Sequence, residues 1–290
     1  MQDFIIKTIS SSDLPDSLKQ LHSPPTQLYL KGNEELLEKT RPKVGIVGAR
    51  KFTPYGRQVT SDIATAMARA GVTVVSGLAL GVDSIAHKAC IDSRGQTIAV
   101  LPSGIENIYP ASHHLLGRDI LGKNGLLISE YEGKHRPTKY NFIERNRIIA
   151  ALSNVLVVTE AAEASGSLHT AGFALEQGVT VMAVPGNITS PYSYGTNKLI
   201  QNGAYPILKP EDILAQLGLD GVVNSQTKLA YIPKNQQEQL IINCLKRRST
   251  STDDLVKTTG LKTSDLQMTM TLMEIEGVVE IQNSLWRLKF

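Results

Sequence analysis

Between Lys43 and about Leu217 the chain alternates two spacings of apolar residues. Short runs that are apolar at nearly every position read as strands buried on both faces: "KVGIVGA", "VTVVSGLA", "QTIAVLPSG", "GLLISEY", "NVLVVTEA" and "VTVMAVPGN". The stretches between them carry apolar residues three and four apart and read as helices. Ile63, Ala64, Met67 and Ala68 mark one face of a helix from about Tyr55 to Ala70. "GVDSIAHKACIDS", "NRIIAALS" and "SLHTAGFALEQG", the last closed by Gly178, supply further helices. The rhythm predicts an α/β fold, a parallel sheet with helices on both faces.

Two flanking patterns differ from this core. Residues 1–40 read as a short entry segment packed on it, in which "SPPTQLYLKGN" predicts an edge strand ending at a Gly32-Asn33 turn. Residues 41–217 form the core domain, and the polar, aperiodic residues 218–235 read as a linker. Residues 236–290 predict three helices and a hairpin turning at Asn283-Ser284, which is a winged-helix pattern. The third helix is expected to be capped by Thr263 or Ser264 and closed by Gly277.

Composition narrows the class. Aromatics are only 5% of the 290 residues, which favours an aliphatic α/β core over an aromatic-rich β-sandwich. A net charge of +3 permits an acidic partner without requiring one. Cys90 and Cys244 lie far apart without C-x-x-C spacing, so no structural metal site or disulfide framework is expected, and a reducing cytoplasm fits. His113-His114 has no carboxylate or thiol at ligand spacing. No apolar run approaches the roughly 20 residues of a membrane helix. A soluble cytoplasmic protein without metal or cofactor is predicted.

In parallel sheets, ligands bind beyond the carboxyl ends of the strands. Arg50, Ser76, Gly77, Ser103, Glu130, Glu160 and Asn187 all fall there and are expected to share one rim. The turn after the first core strand, "VGARKFTPYG", has neither G-x-G-x-x-G nor G-x-x-x-x-G-K-[ST], so neither a dinucleotide nor a P-loop triphosphate is signalled. Gly48 and Arg50 there can clamp a phosphate between backbone amides and a guanidinium, or form a structural turn beside a surface arginine. Gly166 and Ser167 open a second such turn, or simply cap a helix. "HRPTKYNFIERNRII" interleaves Arg136, Lys139, Arg145 and Arg147 with Tyr140 and Phe142. As a loop it offers charges for a nucleic-acid backbone and rings for bases; as a basic helix start it would place Phe142 in the core. No G-x-S-x-G elbow occurs, and nothing in the sequence pairs Asp83 with Glu160 as acid and base, so catalysis is not predicted.

Taken together, "VGARKFTPYG", "SGLALGVDSIAH", "TIAVLPSGIENIYPASH", "LISEY", "NFIERNRIIAALS", "SGSLHTAGFALEQG" and "VMAVPGN" resemble the DprA/Smf family of DNA-processing proteins. The resemblance implies an extended Rossmann-like core that dimerises and binds single-stranded DNA. It also implies protection of incoming strands in natural transformation and loading of the RecA recombinase. By motif position, Arg50 and Lys139 would contact phosphates, Phe142 a base, and Gly166 and Ser167 the backbone. Arg145, Asn146 and Arg147 match the family's "RNR", with structural or phosphate-proximal roles both open. Ala164 and Val179 stand where the resemblance leads one to expect basic residues. The alternative is a nucleotide-binding enzyme or sensor like the cytokinin-activating phosphoribohydrolases. Those carry a glutamate one helical turn after P-G-G-x-G-T, whereas here the first glutamate of that helix is Glu176.

Overall fold

The computed structural model describes residues 4–219, 233–245, 250–282 and 285–288. These residues fall into two compact units, 4–219 and 233–288. The first is built on a nine-stranded sheet. Its strands are β1 (Ile6–Ser10), β2 (Gln27–Gly32), β3 (Lys43–Val47), β4 (Thr73–Ser76), β5 (Thr97–Leu101), β6 (Leu126–Ser129), β7 (Val155–Val158), β8 (Thr180–Ala183) and β9 (Tyr205–Pro206). Their order is β1-β2-β6-β5-β4-β3-β7-β8-β9, parallel from β6 to β9. All six core strands stand where the apolar runs place them.

Successive residues of each central strand face opposite layers. Val44 and Ile46 of β3 and Val155 and Val157 of β7 pack under α2 (Pro54–Arg69), α3 (Val82–Asp92) and α8 (Glu211–Gln216). Val47, Val75, Leu156 and Val158 pack under α1 (Asp16–Lys19), α5 (Lys139–Leu152) and α6 (Ser167–Glu176). Helices α4 (His114–Gly122) and α7 (Tyr194–Gln201) complete this unit. Double-sided burial is why these strands read as continuous apolar runs rather than alternating ones.

The structure corrects the entry segment. "TQLYLKG" is not an edge strand: β2 lies between β1 and β6, antiparallel to both, and β1 forms the edge. Gly32 does not make a hairpin turn, because Asn33 caps a short 3-10 helix at Glu34–Leu37 by accepting from the Glu35 amide. Leu14, Leu18, Leu28, Leu30 and Leu36 are buried in the main core, so the segment is part of the domain's hydrophobic structure.

Helix α3 carries His87, fully buried, with Nδ1 2.7 Å from the Thr97 hydroxyl and Nε2 without a hydrogen-bond partner among the described residues. Burial, with the charges of Arg145 and His113, pulls its pKa down to about 3. The folded state therefore excludes a proton that the unfolded chain accepts near pH ~6.5. Stability from the neutral ring is complete above that pH and is lost as pH falls toward ~3, at about 1.4 kcal/mol per pH unit. Urea unfolding between pH ~7 and ~5 is expected to show wild type losing about 2 kcal/mol more than His87→Gln. Parallel losses in the two proteins would contradict this assignment.

The second unit contains α9 (Gln236–Leu245), α10 (Thr252–Thr259) and α11 (Thr263–Ile275), with β10 (Val279–Gln282) antiparallel to β11 (Leu285–Leu288). Ile241, Leu255, Leu266, Met270, Met273 and Trp286 form its own core. The α11 cap position is Lys262, without a side-chain cap bond, so Thr263 begins the helix rather than capping it. The expected turn at Asn283-Ser284 and most of the expected linker lie outside the described residues.

Candidate nucleic-acid interface

The strand order reverses at β3, from which β4 to β6 run one way and β7 to β9 the other. Loops leaving β3 and β7 diverge there and leave a crevice at the sheet's carboxyl edge. A cleft of about 810 Å³ occupies this position. Gly48, Arg50, Lys139, Phe142, Arg145, Asn146, Gly166 and Ser167 all line it. Arg147, the ninth candidate, does not. Among the described lining residues Asp83 is the only acid, and Arg50, Lys51 and Lys139 are exposed cations.

Helix α5 explains this sorting. Only the start of the basic-aromatic stretch, through Thr138, is a loop: one helix runs unbroken from Lys139, and Asn141 Oδ1 accepts from the Thr138 amide and hydroxyl at 2.6 Å each. At about 100° per residue, Lys139, Phe142, Asn146 and Ile149 fall on one face, which is the face lining the cleft. Arg147 lies on another face, where its guanidinium forks onto Glu130 at 2.6 and 2.8 Å. Of the two open readings for Arg147, this geometry supplies the structural partner.

Arg145 faces the cleft floor and is buried. Its Nη1 donates to the Gly77 carbonyl at 2.6 Å and to the Val100 carbonyl, tying β4 to β5, and its Nε donates to Asn146. Burial and the nearby charge of Arg50 lower its pKa to about 10, while Asp83 opposes the shift. Asp83 accepts from the Gly77 and Ala79 amides at 3.1 and 3.4 Å. Those amides belong to the loop before α3, not to the helix's own first turn. Burial raises the Asp83 pKa and Arg145 counters it.

At the mouth the Arg50 guanidinium lies 5.0 Å from the centre of the Phe142 ring. Tyr109 meets the same ring edge-on at 5.6 Å. Tyr109 was missed by the sequence reading although it lies in "GIENIYPASH"; nothing local shows that the loop after β5 folds back onto α5. Lys51, beside Arg50 in the first turn, and His169 and Tyr192 also line the cleft.

The two glycine turns differ. At the first, the α2 terminus is already filled: Thr53 accepts from the Gly56 amide, and Glu160 accepts from Thr53. Gly48 is required by packing, since a Cβ there would sit 2.7 Å from Val82 and 2.9 Å from the Glu160 carbonyl. The first turn therefore offers an anion the Arg50 and Lys51 side chains rather than the α2 amides. At the second, among the described residues the Gly166 and Ser167 amides have no protein acceptor, and the Ser165 and Ser167 hydroxyls pair at 2.8 Å. The supposed common rim is thus mostly internal: Ser76, Ser103 and Glu160 are buried and hydrogen-bonded within the protein, and Glu130 is held by Arg147. Glu176 ends α6 and is exposed, roughly 14 Å along the axis from its start and outside the lining.

A Rossmann-like sheet with an aromatic-cationic cleft at its switch point, accompanied by a unit of three helices and a two-stranded sheet, defines a two-unit α/β protein. Residues 5–218 match the family model for DNA recombination-mediator protein A, and residues 225–283 match the DprA winged helix domain. The chain belongs to this DprA/Smf family. It is 45% identical over 209 residues to DNA processing protein DprA of Bacillus subtilis, covering 72% of this chain and 70% of that one. DNA processing protein A of Helicobacter pylori, whose structure describes a single-stranded DNA binding mode, superposes with a TM-score of 0.68 at 35% identity, over 75% of this chain and 97% of that one. The Streptococcus pneumoniae protein superposes with the same TM-score of 0.68 at 37% identity, over 72% of this chain and 74% of that one. Among the described residues no helix is long and apolar enough to cross a membrane.

Proposed function

We propose that the cleft binds single-stranded DNA without reading its sequence, and that the protein acts as a recombination mediator. In this role it protects incoming strands during natural transformation and loads RecA onto them, as a cytoplasmic homodimer, without cofactor or chemistry of its own. The observation that carries the reading is the grouping of Arg50, Phe142 and Tyr109 at the mouth of a cleft also lined by Lys139 and the Gly166 and Ser167 turn. Cations track phosphates and rings stack on bases, whatever the base. Family membership and the Helicobacter pylori relative support the same reading. Residues 41–217 would bind the strand, with residues 1–40 completing the core. The winged helix beyond the 218–235 linker would meet a protein, since α11 exposes Met268, Leu272 and Ile275 and bears no cation.

Fluorescence anisotropy of a labelled oligothymidine across a salt series tests this. Log affinity is expected to fall with log salt at about −0.7 per phosphate neutralised. Arg50→Ala should weaken binding about tenfold and flatten that slope by about 0.7, the loss of one phosphate contact. Binding indifferent to Arg50 would place recognition elsewhere. No binding, together with hydrolysis of a nucleoside monophosphate, would overturn the reading in favour of an enzyme.

A further inference from the structure

Arg50 and Lys51 are carried by a short loop between β3 and α2, and both ends of that loop are tied to one residue. At its start, the Ala49 amide donates to the Glu160 carbonyl at 2.7 Å. At its end, the Glu160 carboxylate accepts from the Thr53 amide at 2.9 Å through Oε2 and from the Thr53 hydroxyl at 2.5 Å through Oε1. Thr53 in turn caps α2 by accepting from the Gly56 amide at 3.1 Å. Gly56 is shaped for this carboxylate, because a Cβ there would fall 2.1 Å from Oε2.

Glu160 is only 2% exposed, and neither it nor Thr53 lines the cleft. A carboxylate behind a polyanion site would oppose binding through its charge. Here that charge is turned onto the amino end of α2, where the helix dipole favours an anion. Among the described residues Glu160 makes no ion pair, and its place just after β7 is accounted for by the loop geometry.

We propose that Glu160 is the positioning residue of the cleft, fixing the loop so that it presents Arg50, without touching the bound strand. This rests on the single-stranded DNA reading above. The geometry also explains why the phosphate contact at the first turn falls to a side chain: the cap of the helix that opens there is occupied by Glu160.

The test uses full-length protein with the same oligothymidine. Variants are Glu160→Ala, Glu160→Gln, Arg50→Ala and the Glu160→Ala/Arg50→Ala pair, with amide hydrogen exchange of residues 49–53 measured alongside. Glu160→Ala is expected to bind about tenfold more weakly, matching the loss of one charge-assisted contact. Glu160→Gln should recover most of that affinity, since its amide can accept from the Thr53 N–H and donate to the hydroxyl. The double variant should bind within about twofold of Arg50→Ala alone, because a residue that acts only through Arg50 has nothing left to position. Loop amides should exchange faster in Glu160→Ala and not in Glu160→Gln.

Wild-type affinity in Glu160→Ala, or a loss that multiplies with that of Arg50→Ala, would overturn the proposal. Should Glu160→Ala fail to fold, Thr53→Val removes the hydroxyl tie alone and should show a smaller loss that disappears in the Arg50→Ala background; a loss persisting there would count against it equally. If wild type binds no oligothymidine, the DNA reading falls by itself, and exchange of residues 49–53 decides the tie: faster in Glu160→Ala upholds it, unchanged overturns it.

Discussion

Arg145→Ala is expected to lower the unfolding free energy by about 3–5 kcal/mol near neutral pH, the range for removing one member of a buried charged network. The guanidinium is the common donor to the Gly77 and Val100 carbonyls, and β4 and β5 are adjacent strands whose exits form the cleft floor. Gly77 has no room for a side chain beside it: a Cβ would lie 2.5 Å from the guanidinium carbon. Alanine at 145 would remove the donor shared by the Gly77 and Val100 carbonyls, open a cavity and leave Asp83 with its hydrogen bonds but without the opposite charge.

The pH dependence separates this from simple cavity formation. Burial already raises the Asp83 pKa, and Arg145, with the hydrogen bonds from Gly77, Ala79 and Ser76, pulls against it. Without Arg145 the buried carboxylate keeps its hydrogen bonds but loses its charge partner, so its folded pKa climbs further above the unfolded value. A raised folded pKa in an acid means that the destabilisation is full above that pKa and is relieved as pH falls toward the unfolded one. Arg145 also holds the His87 pKa down, so its loss eases protonation of His87 in the fold and acts in the same direction. Urea unfolding of wild type and Arg145→Ala should therefore show a larger deficit near neutral pH than near pH ~5. An equal deficit at both would assign the loss to packing alone.

The roles of these residues were unequally visible in the sequence. Val74, Ile98, Val155 and their neighbours announce strands because a doubly covered sheet leaves no polar face. Gly48, Arg50, Gly166 and Ser167 converge because the strand exits on either side of a switch point must. The first turns of α5 stayed hidden: its buried aliphatics, Ile148 to Leu152, sit in the last turns, so residues 139–144 carry no stripe to count. β1 was missed because its pairing with β2 crosses the intervening α1 segment, and only one of its five side chains is buried. The buried state of Arg145 was equally unreadable, since a charged side chain is expected in solvent unless its partners are known. Those partners, Gly77 and Val100, are 68 and 45 residues away. Tyr109 and Glu160 belong to the same class: residues whose work is defined by a neighbour distant in the chain.

Phe142→Ala is expected to weaken oligothymidine binding by about 5- to 150-fold, the equivalent of the 1–3 kcal/mol carried by one stacked base. The ring is held half-buried on α5 with Arg50 over it and Tyr109 at its edge, so it is rigid before any base arrives. Its removal deletes stacking area but no charge, and the slope of log affinity against log salt should stay at its wild-type value. Arg50→Ala should do the reverse, with a flatter slope. The two residues also touch, so their effects should couple: losing the ring frees the guanidinium, losing the guanidinium bares the ring, and the double variant should depart from the product of the single ones. Phe142→Tyr, which keeps a π-face, should retain most affinity, and Tyr109→Ala should cost less than Phe142→Ala because it supports the ring from its edge. Unchanged affinity in Phe142→Ala would remove the ring from the interface. A flattened salt slope in the same variant would mean that the ring's work is to hold Arg50 in place rather than to stack on a base.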